Sequence, residues 1–427
     1  MITWTNWGGN VTATPKLVAH PASTDEVATL VRSHRAIKAV GASHSFTAIA
    51  ATDGVQLRLN RMNRLLHHDS ATARVRVQAG MSLRELNPQL QRLGLALPNL
   101  GDVDPQSVSG AISTGTHGTG GRLHGIAAAV VALQLVVGDG TVVEVDETHP
   151  WFGAARVGLG ALGIVTEVTL QCVPAFLLHA REAPMPLPDV LAGLDDLVDG
   201  NDHFEFYWFP HTVKALTKRN NRVPAGTERR PLPRWRSWLD DRFLSNTVYE
   251  RVNRLSAVRP ALIPRLNAIS GSTLGAREYI DHSYAVFVSP RDVRFRESEF
   301  AMPRAAAAEV IGELQRWFGR REDLVGFPIE VRFTAADDIW LSTGHERDNV
   351  YVAVHQYHRA DYRRYFAAAQ DIFVAHEGRP HWGKLHTLDA DYFASRYPRF
   401  ADFLSIRDEA DPDRRFANSY LTRVLGA

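Results

Sequence analysis

Glu330 and Arg332 stand two residues apart in the segment IEVRF and could act together on a bound ligand. On an alternating strand, residues at i and i+2 share a face, so these two side chains would point the same way. An acid beside a fixed cation can polarise a hydroxyl group and share its proton. The spacing alone, however, favours a surface ion pair, which is worth less than about 1 kcal/mol.

Two segments rich in small residues could hold an anionic ligand. They are VGASHS, which begins at Val40, and STGTHGTGG, at Ser113–Gly121. Successive backbone N–H groups with little side-chain bulk suit a pyrophosphate, and nearby hydroxyl groups add donors. Together the two segments would suit one elongated cofactor, although either could also be an ordinary turn.

A third segment, GLGALG at residues 158–163, formally matches the dinucleotide fingerprint G-x-G-x-x-G. That fingerprint requires a preceding strand and a following helix. Here the alternating, β-branched segment IVTEVTLQCV follows, which is typical of a strand. We therefore expect a turn into a strand and no nicotinamide-type Rossmann site.

Metal and disulfide chemistry have little support in the sequence. His355 and His358, in VAVHQYH, would point to opposite faces of a strand, so we expect no metal site. Cys172 is the single cysteine and cannot form an internal disulfide. Its apolar neighbours predict a buried thiol.

The 427 residues suggest two domains, and 48 lysines and arginines nearly balance 47 aspartates and glutamates. This balance predicts a neutral, local ligand rather than nucleic acid or an anionic lipid surface. The segment MITWTNWGGN has neither a basic start nor an apolar core, and no apolar run reaches the length of a membrane span. We therefore expect a soluble, cytoplasmic protein without an integral membrane segment.

The elements that must position these groups change in character near residue 175. Before it, helical patterns alternate with strands, and VVALQLVVGDGTVVEV predicts two strands around an Asp-Gly turn. After it, aromatic residues become more frequent, as in DHFEFYWFPHT, and we expect a second, larger domain. Residues 219–259 are rich in arginine and proline, which favours a solvated loop over a membrane or nucleic-acid contact.

Several stretches, in order along the chain, resemble those of one known protein family. They are VGASHSFTAIA, LPNLGDVDPQSVSGAISTGTHGTG, LGALGIVTEVTL, IEVRFTAADDIWLS, and RPHWGKLH with RFANSYLTRVLG. These stretches resemble the sugar-1,4-lactone oxidoreductases of the vanillyl-alcohol oxidase flavoprotein superfamily. The resemblance is to the L-gulono-1,4-lactone oxidase or dehydrogenase branch, with alditol oxidases as relatives.

The resemblance implies an α+β, two-domain flavoprotein. Residues 1–175 would form a PCMH-type FAD-binding domain. Residues 176–427 would form a substrate domain built on a mixed or antiparallel sheet, and its last part, residues 376–427, would return to the flavin.

The resemblance also implies that both small-residue segments bind FAD and that His44 is attached to it covalently. A noncovalently held FAD, with His44 a hydrogen-bonding turn residue, stays open. The implied cofactor contacts are Gly41, Ala42, Ser43, His44, Ser45, Phe46, Gly101, Ser107, Gly110, Ser113, Thr114, Gly115, His117, Gly118, Gly163, Ile164 and His381.

For catalysis, the resemblance makes Glu330 and Arg332 a substrate-polarising pair. It assigns Lys384, in PHWGKLH, to the reacting hydroxyl or to the N1 edge of the flavin. Asp102 and His355 would complete the substrate site, and the acidic Asp102 favours a lactone over a polyol. The implied reaction oxidises the C2 hydroxyl of an L-gulono-1,4-lactone-like sugar by hydride transfer to flavin N5, giving an ascorbate-type product.

Alternatives stay open at this point. One is an alditol oxidase that oxidises the terminal hydroxyl of a polyol such as xylitol and forms hydrogen peroxide. Another is a flavin- or sugar-binding module without turnover, and a third is a flavin subunit that works beside a redox partner. Gly101 would leave oxygen's path to the flavin open, but the electron acceptor, oxygen or a redox carrier, and the oligomeric state are not determined.

Overall fold

The computed structural model describes residues 2–237, 246–273, 275–289 and 291–427. The elements up to residue 174 are β1 (Trp4–Thr5), β2 (Thr12–Ala13), β3 (Leu17–Ala19), α1 (Thr24–Ser33), β4 (Ile37–Ala39), β5 (Val55–Leu57), β6 (Leu65–Asp69), β7 (Arg74–Gln78), α2 (Leu83–Arg92), β8 (Leu95–Ala96), α3 (Val108–Ser113), β9 (Val130–Val136), β10 (Val142–Asp146), α4 (Phe152–Ala155), β11 (Ile164–Gln171) and β12 (Val173–Pro174).

The later elements begin at residue 177. They are β13 (Leu177–Pro186), α5 (Leu187–Ala192), α6 (Leu194–Asp199), β14 (His203–Trp208), β15 (Lys214–Arg222), α7 (Arg234–Ser237), α8 (Tyr249–Val258), α9 (Ile263–Thr273), β16 (Arg277–His282), α10 (Ser283–Phe287), β17 (Phe295–Pro303), α11 (Ala307–Gly319), β18 (Ile329–Thr334), β19 (Asn349–Tyr357), α12 (Arg363–Ala375), β20 (Arg379–Pro380), α13 (Ala390–Arg396), α14 (Phe400–Ala410) and α15 (Ser419–Leu425).

Local sequence signals fix the helices of the first part. Ser23 caps α1 by accepting a hydrogen bond from the Glu26 backbone N–H, and Ser82 forms a capping box with Glu85 at the start of α2. Leu83, Leu86 and Leu90 on one face of α2 are buried. These helices therefore begin where the sequence provides a cap and bury the face that the spacing predicts.

The first part contains two main sheets. Strands β3, β5 and β4 form a three-stranded parallel sheet, and a five-stranded antiparallel sheet has the order β10-β9-β11-β7-β6. The predicted Asp-Gly hairpin is confirmed as β9 and β10, with Gly140 in the left-handed region at φ +83°. The segment GLGALG leads into β11, so the predicted turn into a strand is also confirmed.

An eight-stranded sheet forms the centre of the second part. Its order is β16-β13-β15-β14-β18-β19-β17-β20, and its strand pairs are antiparallel. The chain passes from one sheet to another between Pro174, which pairs with β8, and Leu177, which pairs with β16. The division at residues 175 and 176 itself stays a prediction.

The two faces of the eight-stranded sheet differ in chemistry because side chains alternate along each strand. One face is apolar and belongs to a core cluster that includes residues of α5, α6, α11 and α12. The other face bears buried ionisable groups from β14, β17, β18 and β19, among them Glu330 and Arg332. We call this second face the charged face.

The C-terminal helices pack against the first part of the chain. Phe393 of α13, Phe403 of α14 and Leu421 of α15 belong to the same hydrophobic cluster as Val75 and Leu133 of the five-stranded sheet. Residues beyond β20 thus lie with the N-terminal elements in space.

The predicted loop at residues 219–259 is wrong in part, and residues 238–245 within it lie outside the described residues. Strand β15 continues to Arg222, and α8 occupies Tyr249–Val258. The helix was hidden because it buries Asn253 and Ser256 and exposes Leu255 and Val258, the reverse of the usual amphipathic pattern. In the described part of the chain, no helix is both long and apolar enough to cross a bilayer.

Candidate active site

A cavity of about 840 Å³ is lined by the first small-residue segment, by α3 with the start of the second segment, and by the turn that leads into β11. It is large enough for an extended ligand. The predicted cofactor contacts that line it are Gly41, Ala42, Ser43, His44, Ser45, Ser107, Gly110, Ser113, Thr114, Gly163 and Ile164.

The first small-residue segment, Gly41–Ser45, presents free donors to this cavity. None of its backbone N–H groups has a hydrogen-bond partner among the described residues. Ser43 adopts a left-handed conformation at φ +62°, held by Trp4 Nε1 donating to its hydroxyl at 3.0 Å and by the Trp7 N–H donating to its carbonyl at 2.8 Å. A run of unpaired N–H groups in such a turn fits a pyrophosphate.

His44 lies in this segment with its ring stacked on Trp7 at a centroid distance of 5.5 Å. Burial lowers the pKa of His44 to about 4, and the positive charges of Lys384 and Arg84 add to this effect. The imidazole is therefore neutral near pH 7 and retains a free nitrogen lone pair.

Around the cavity, three glycines lie so close to neighbouring atoms that a side chain would not fit. A Cβ on Gly41 would stand 2.5 Å from Ser107 Oγ, and one on Gly110 would stand 2.9 Å from the same atom. Ser107 Oγ caps α3 by accepting from the Gly110 N–H at 3.2 Å. Gly163, at φ +157°, passes against Val136 O, which a Cβ would meet at 2.7 Å.

Lys38, which the sequence analysis missed, also lines the cavity and is almost fully buried. Its Nζ donates to Gly160 O at 2.9 Å and to Phe416 O at 2.7 Å. Burial lowers the pKa of Lys38 to about 7, opposed by the charge of Asp411. The lysine thus joins the cavity wall to the C-terminal segment.

The remaining predicted cofactor contacts, all within the described chain, do not line this cavity. They are Phe46, Gly101, Gly115, His117, Gly118 and His381. Phe46 packs with Trp7 and Phe295, and Gly118 lies against Asn99. The Phe46 N–H donates to Gly383 O at 2.6 Å, which ties the first segment to PHWGKLH.

Glu330 and Arg332 do share the charged face, as predicted, and their side chains form an ion pair. The sheet register places Tyr207 opposite Glu330, and Tyr207 donates its hydroxyl to Glu330 Oε1 at 3.2 Å. Burial raises the pKa of Glu330 above its usual value although Arg332 opposes the shift. Glu330 is thus a carboxylate with an increased affinity for a proton.

Asp102 approaches the same pair from a loop of the first part. Its carboxylate pairs with Arg291 and lies 3.5 Å from Arg332 Nη2, and Arg291 Nη2 lies 3.6 Å from Glu330 Oε2. Although burial opposes it, Arg291 and Arg332 hold the pKa of Asp102 well below its usual value. The side chains of Asp102, Arg291, Glu330 and Arg332 thus form a cluster in which two carboxylates alternate with two guanidinium groups.

Lys384 lies between two acids of β17. Its Nζ is 2.5 Å from Glu297 Oε2 and 4.0 Å from Glu299 Oε2. Burial would lower the pKa of Lys384, but Glu297 and Glu299 raise it above its usual value. His355 Nε2 lies 3.4 Å from Glu297 Oε1 and 4.0 Å from Glu330 Oε2, so it connects this group to the pair on β18.

Side-chain atoms of His117, Glu299 and His381 lie within 4.8 Å of one another, close enough to hold a metal ion. The hydrogen bonds of His381 oppose that use. The Gly383 N–H donates to His381 Nδ1 at 3.0 Å, and burial lowers the pKa of His381 to about 3, so the neutral ring bears its proton on Nε2. Neither ring nitrogen then offers a free lone pair to a metal.

Six ionisable residues of the site were not predicted from the sequence. They are Glu205, Tyr207, Lys218, Arg291, Glu297 and Glu299. A signal was present for four of them: Glu205 and Tyr207 alternate with aromatic residues in HFEFYW, and Glu297 and Glu299 are two residues apart in FRESEF. Polar residues on the same face of an aromatic-rich strand indicate a buried polar site when the sheet is covered on both sides.

A cavity lined by free backbone N–H groups lies close to a buried set of acids and cations, an arrangement that fits a flavin-dependent oxidoreductase. Residues 15–146 match the FAD binding domain family, and residues 168–424 match the D-arabinono-1,4-lactone oxidase family. The chain belongs to the D-arabinono-1,4-lactone oxidase family and is an FAD-dependent oxidoreductase. The resemblance stated from the sequence is thereby confirmed.

Two relatives and one solved structure are similar to this chain over nearly its whole length. It is 42% identical to an L-gulono-1,4-lactone dehydrogenase of Mycobacterium tuberculosis, over 99% of both chains. It is 34% identical to an alditol oxidase of a Streptomyces species, over 99% of this chain and 98% of that one. Cholesterol oxidase of Brevibacterium sterolicum shares the fold, with a TM-score of 0.83, 17% identity, and coverage of 99% of this chain and 96% of that one.

Proposed function

We propose that the protein oxidises the C2 hydroxyl of a sugar-1,4-lactone of the L-gulono-1,4-lactone type. The 2-keto product would tautomerise to an ascorbate-type enediol. The observation that supports this most directly is that Asp102, from a loop of the first part, meets Arg332 and its partner Glu330 on the charged face. The chain is also 42% identical to an L-gulono-1,4-lactone dehydrogenase.

A bound FAD would supply the acceptor for the hydride equivalent that leaves the substrate carbon. Glu330 receives the hydroxyl proton, because its pKa is raised while the pKa of Asp102 is lowered. Arg332 and Arg291 stabilise negative charge that develops on the substrate oxygen, since both guanidinium groups are fixed within this group of acids. His355 forms the wall beside Glu330.

Lys384 supplies a further fixed positive charge in this proposal. Glu297 and Glu299 keep its amine protonated and restrict its position. A pre-positioned cation in a site shielded from water stabilises an anion more than a solvated cation does. The charge is directed at the reacting hydroxyl or at the N1 edge of the flavin.

We further propose that His44 bonds covalently to the 8α carbon of the flavin. In support, His44 lines the cavity beside the free N–H groups of Gly41–Ser45, and its low pKa leaves a neutral nitrogen. Such a bond would retain the cofactor and raise its reduction potential. The electron acceptor is oxygen or a redox carrier, since relatives named as a dehydrogenase and as an oxidase are both similar to this chain.

The alditol oxidase alternative rests on the 34% identical relative. One experiment separates it from the lactone proposal. The FAD-loaded protein is mixed anaerobically with L-gulono-1,4-lactone and, separately, with xylitol, and the visible flavin absorbance is followed. Bleaching by the lactone alone supports the proposal, bleaching by xylitol alone replaces it with the alditol alternative, and bleaching by neither contradicts both substrate assignments.

A further inference from the structure

Helices α8 and α9 bury several polar residues on their inner sides, namely Asn253, Ser256 and Asn267, together with the apolar Ile263. Tyr249 of α8 donates its hydroxyl to Gly326 O at 3.3 Å, and Asn267 of α9 donates to Val325 O and Pro210 O, each at 2.9 Å. Both helices therefore rest on the same short segment at residues 325–326. Their opposite sides must face away from the protein.

Those outer sides bear apolar residues in the open. Val258 is 78% exposed, Ile269 58% and Leu255 45%. On α8, Leu255 and Val258 lie opposite the buried Asn253 in the helical repeat. Apolar side chains exposed on the outer sides of two consecutive helices indicate a surface that contacts something else.

The charge of these helices indicates the partner. Residues 246–273 contain four arginines and one acid, Glu250, and that acid is already engaged by Arg254 Nε at 2.8 Å and the Tyr357 hydroxyl at 2.7 Å. Arg251, Arg259 and Arg265 are exposed. A twofold contact with a second copy would bring these like charges together, whereas an anionic surface would complement them.

We propose that this surface docks on the headgroup region of a bilayer that contains anionic lipids. The α8–α9 surface consists of Arg251, Leu255, Val258, Arg259, Arg265 and Ile269. Leucine, valine and isoleucine enter the boundary between headgroups and acyl chains, and the arginines bind lipid phosphates. The near-neutral total charge of the chain does not reveal this, because the arginines are concentrated locally.

Trp235 of α7 is a further exposed apolar residue, and its neighbour Arg236 contacts the chain near the end of α9. Trp235 is 68% exposed, and Arg236 donates from Nη2 to Ala276 O at 3.3 Å. Tryptophan is enriched where proteins meet the headgroup level of a bilayer. On the inner side of α8, the Tyr249 ring packs on the Phe327 ring at 5.1 Å, and Phe327 in turn lies beside His355. Docking would therefore bring the wall of the site near His355 towards the bilayer.

The test uses the FAD-loaded, full-length protein and sedimentation with vesicles. One set of vesicles is phosphatidylcholine, and the other contains phosphatidylglycerol as well. The first variant combines Leu255→Asp, Val258→Asp and Ile269→Asp, and Val258→Asp alone serves where the triple variant fails to fold. Val142→Asp is the matched control, because Val142 is 41% exposed but lies on β10, in the first part of the chain.

The wild-type protein should sediment with the anionic vesicles, and less so at high salt. The apolar variant should reduce the partition coefficient by at least about tenfold, and the control should not. A second variant, Arg251→Glu, Arg259→Glu and Arg265→Glu together, should abolish the preference for phosphatidylglycerol. Flavin bleaching by substrate in solution should be unchanged in every variant, which keeps this test separate from the proposed reaction.

Three results would overturn the proposal. The wild-type protein could fail to bind the anionic vesicles, or the apolar variant could bind them as well as the wild type does. Light scattering could instead reveal a concentration-dependent dimer that the apolar variant dissociates, and the surface would then belong to a contact between two copies of this chain.

Discussion

Glu205 Oε2 accepts a hydrogen bond of 2.8 Å from Arg332 Nε, and this contact fixes the plane of the guanidinium group. The other oxygen of Glu205 lies 3.3 Å from Lys218 Nζ. Burial would raise the pKa of Glu205, but Arg332 and Lys218 lower it below its usual value, so it stays ionised. Glu205 is thus placed to hold Arg332 while the Nη2 atom faces Asp102 and Glu330.

Glu205→Gln should slow flavin reduction by the lactone about a hundredfold with a smaller effect on KM, because a shift of ~1 Å in the guanidinium costs that much. Removal of one charge from a buried pair should also lower the free energy of unfolding by about 3–5 kcal/mol. Anaerobic stopped-flow and thermal unfolding measure the two effects. Glu278→Gln is the control, since its side chain is 59% exposed in an ion pair with His179. An unchanged reduction rate in Glu205→Gln would contradict a positioning role.

Lys384→Met should reduce the rate of flavin reduction about 10²–10³-fold, the usual effect of losing one fixed donor to a developing charge. The same change leaves Glu297 and Glu299 without their cation, so stability must be measured as well. Lys384→Arg retains the charge and should restore part of the rate. Normal reduction in a folded Lys384→Met variant would remove the catalytic assignment.

Local periodicity was sufficient to predict part of the site. Glu330 and Arg332 share a face because a strand repeats every two residues, and this holds whatever the neighbouring strands are. The β9–β10 hairpin was predictable for a similar reason, since Asp139-Gly140 closes it over a short distance. The family resemblance supplied the cofactor and the role of the two small-residue segments.

Long-range register and loops could not be predicted in the same way. Tyr207 lies opposite Glu330 only because β14 pairs with β18, and nothing near either residue encodes that pairing. Arg291 reaches Asp102 from a loop without periodicity. Helix α8 was missed because Asn253 faces inwards and Val258 outwards, which inverts the hydrophobic pattern that sequence reasoning relies on.

The His44→Ala variant should release its flavin on denaturation, whereas the wild-type protein should retain it. Acid precipitation of the wild-type protein should leave the yellow flavin in the pellet, whereas the variant should release it to the supernatant. His67→Ala is the control, because His67 is exposed on β6, away from the cavity. Release of the flavin from precipitated wild-type protein would show that no covalent bond had formed.

His203 should make the protein lose stability in acid. Its side chain is fully buried on β14, Nδ1 lies 2.9 Å from Thr119 O, and Nε2 has no hydrogen-bond partner among the described residues. Burial lowers the pKa of His203 from 6.5 to about 4. The unfolded chain therefore binds the proton more tightly than the folded one. The neutral His203 ring makes its full contribution to the free energy of unfolding above pH 6.5, and this contribution is lost as the pH falls towards 4. The loss amounts to about 3 kcal/mol.

His203→Asn tests this dependence, because the asparagine amide can still donate to Thr119 O but does not titrate. Denaturant unfolding at several values between pH 7 and pH 4 should give a shallower loss of stability for the variant than for the wild type. His67→Asn, at an exposed position, should follow the wild-type curve. Parallel curves for His203→Asn and the wild type would mean that other groups, such as the buried carboxylates of the charged face, account for the acid sensitivity. Asp102 and Glu297, whose pKa values their cationic neighbours lower, also lose stabilising charge as the pH falls.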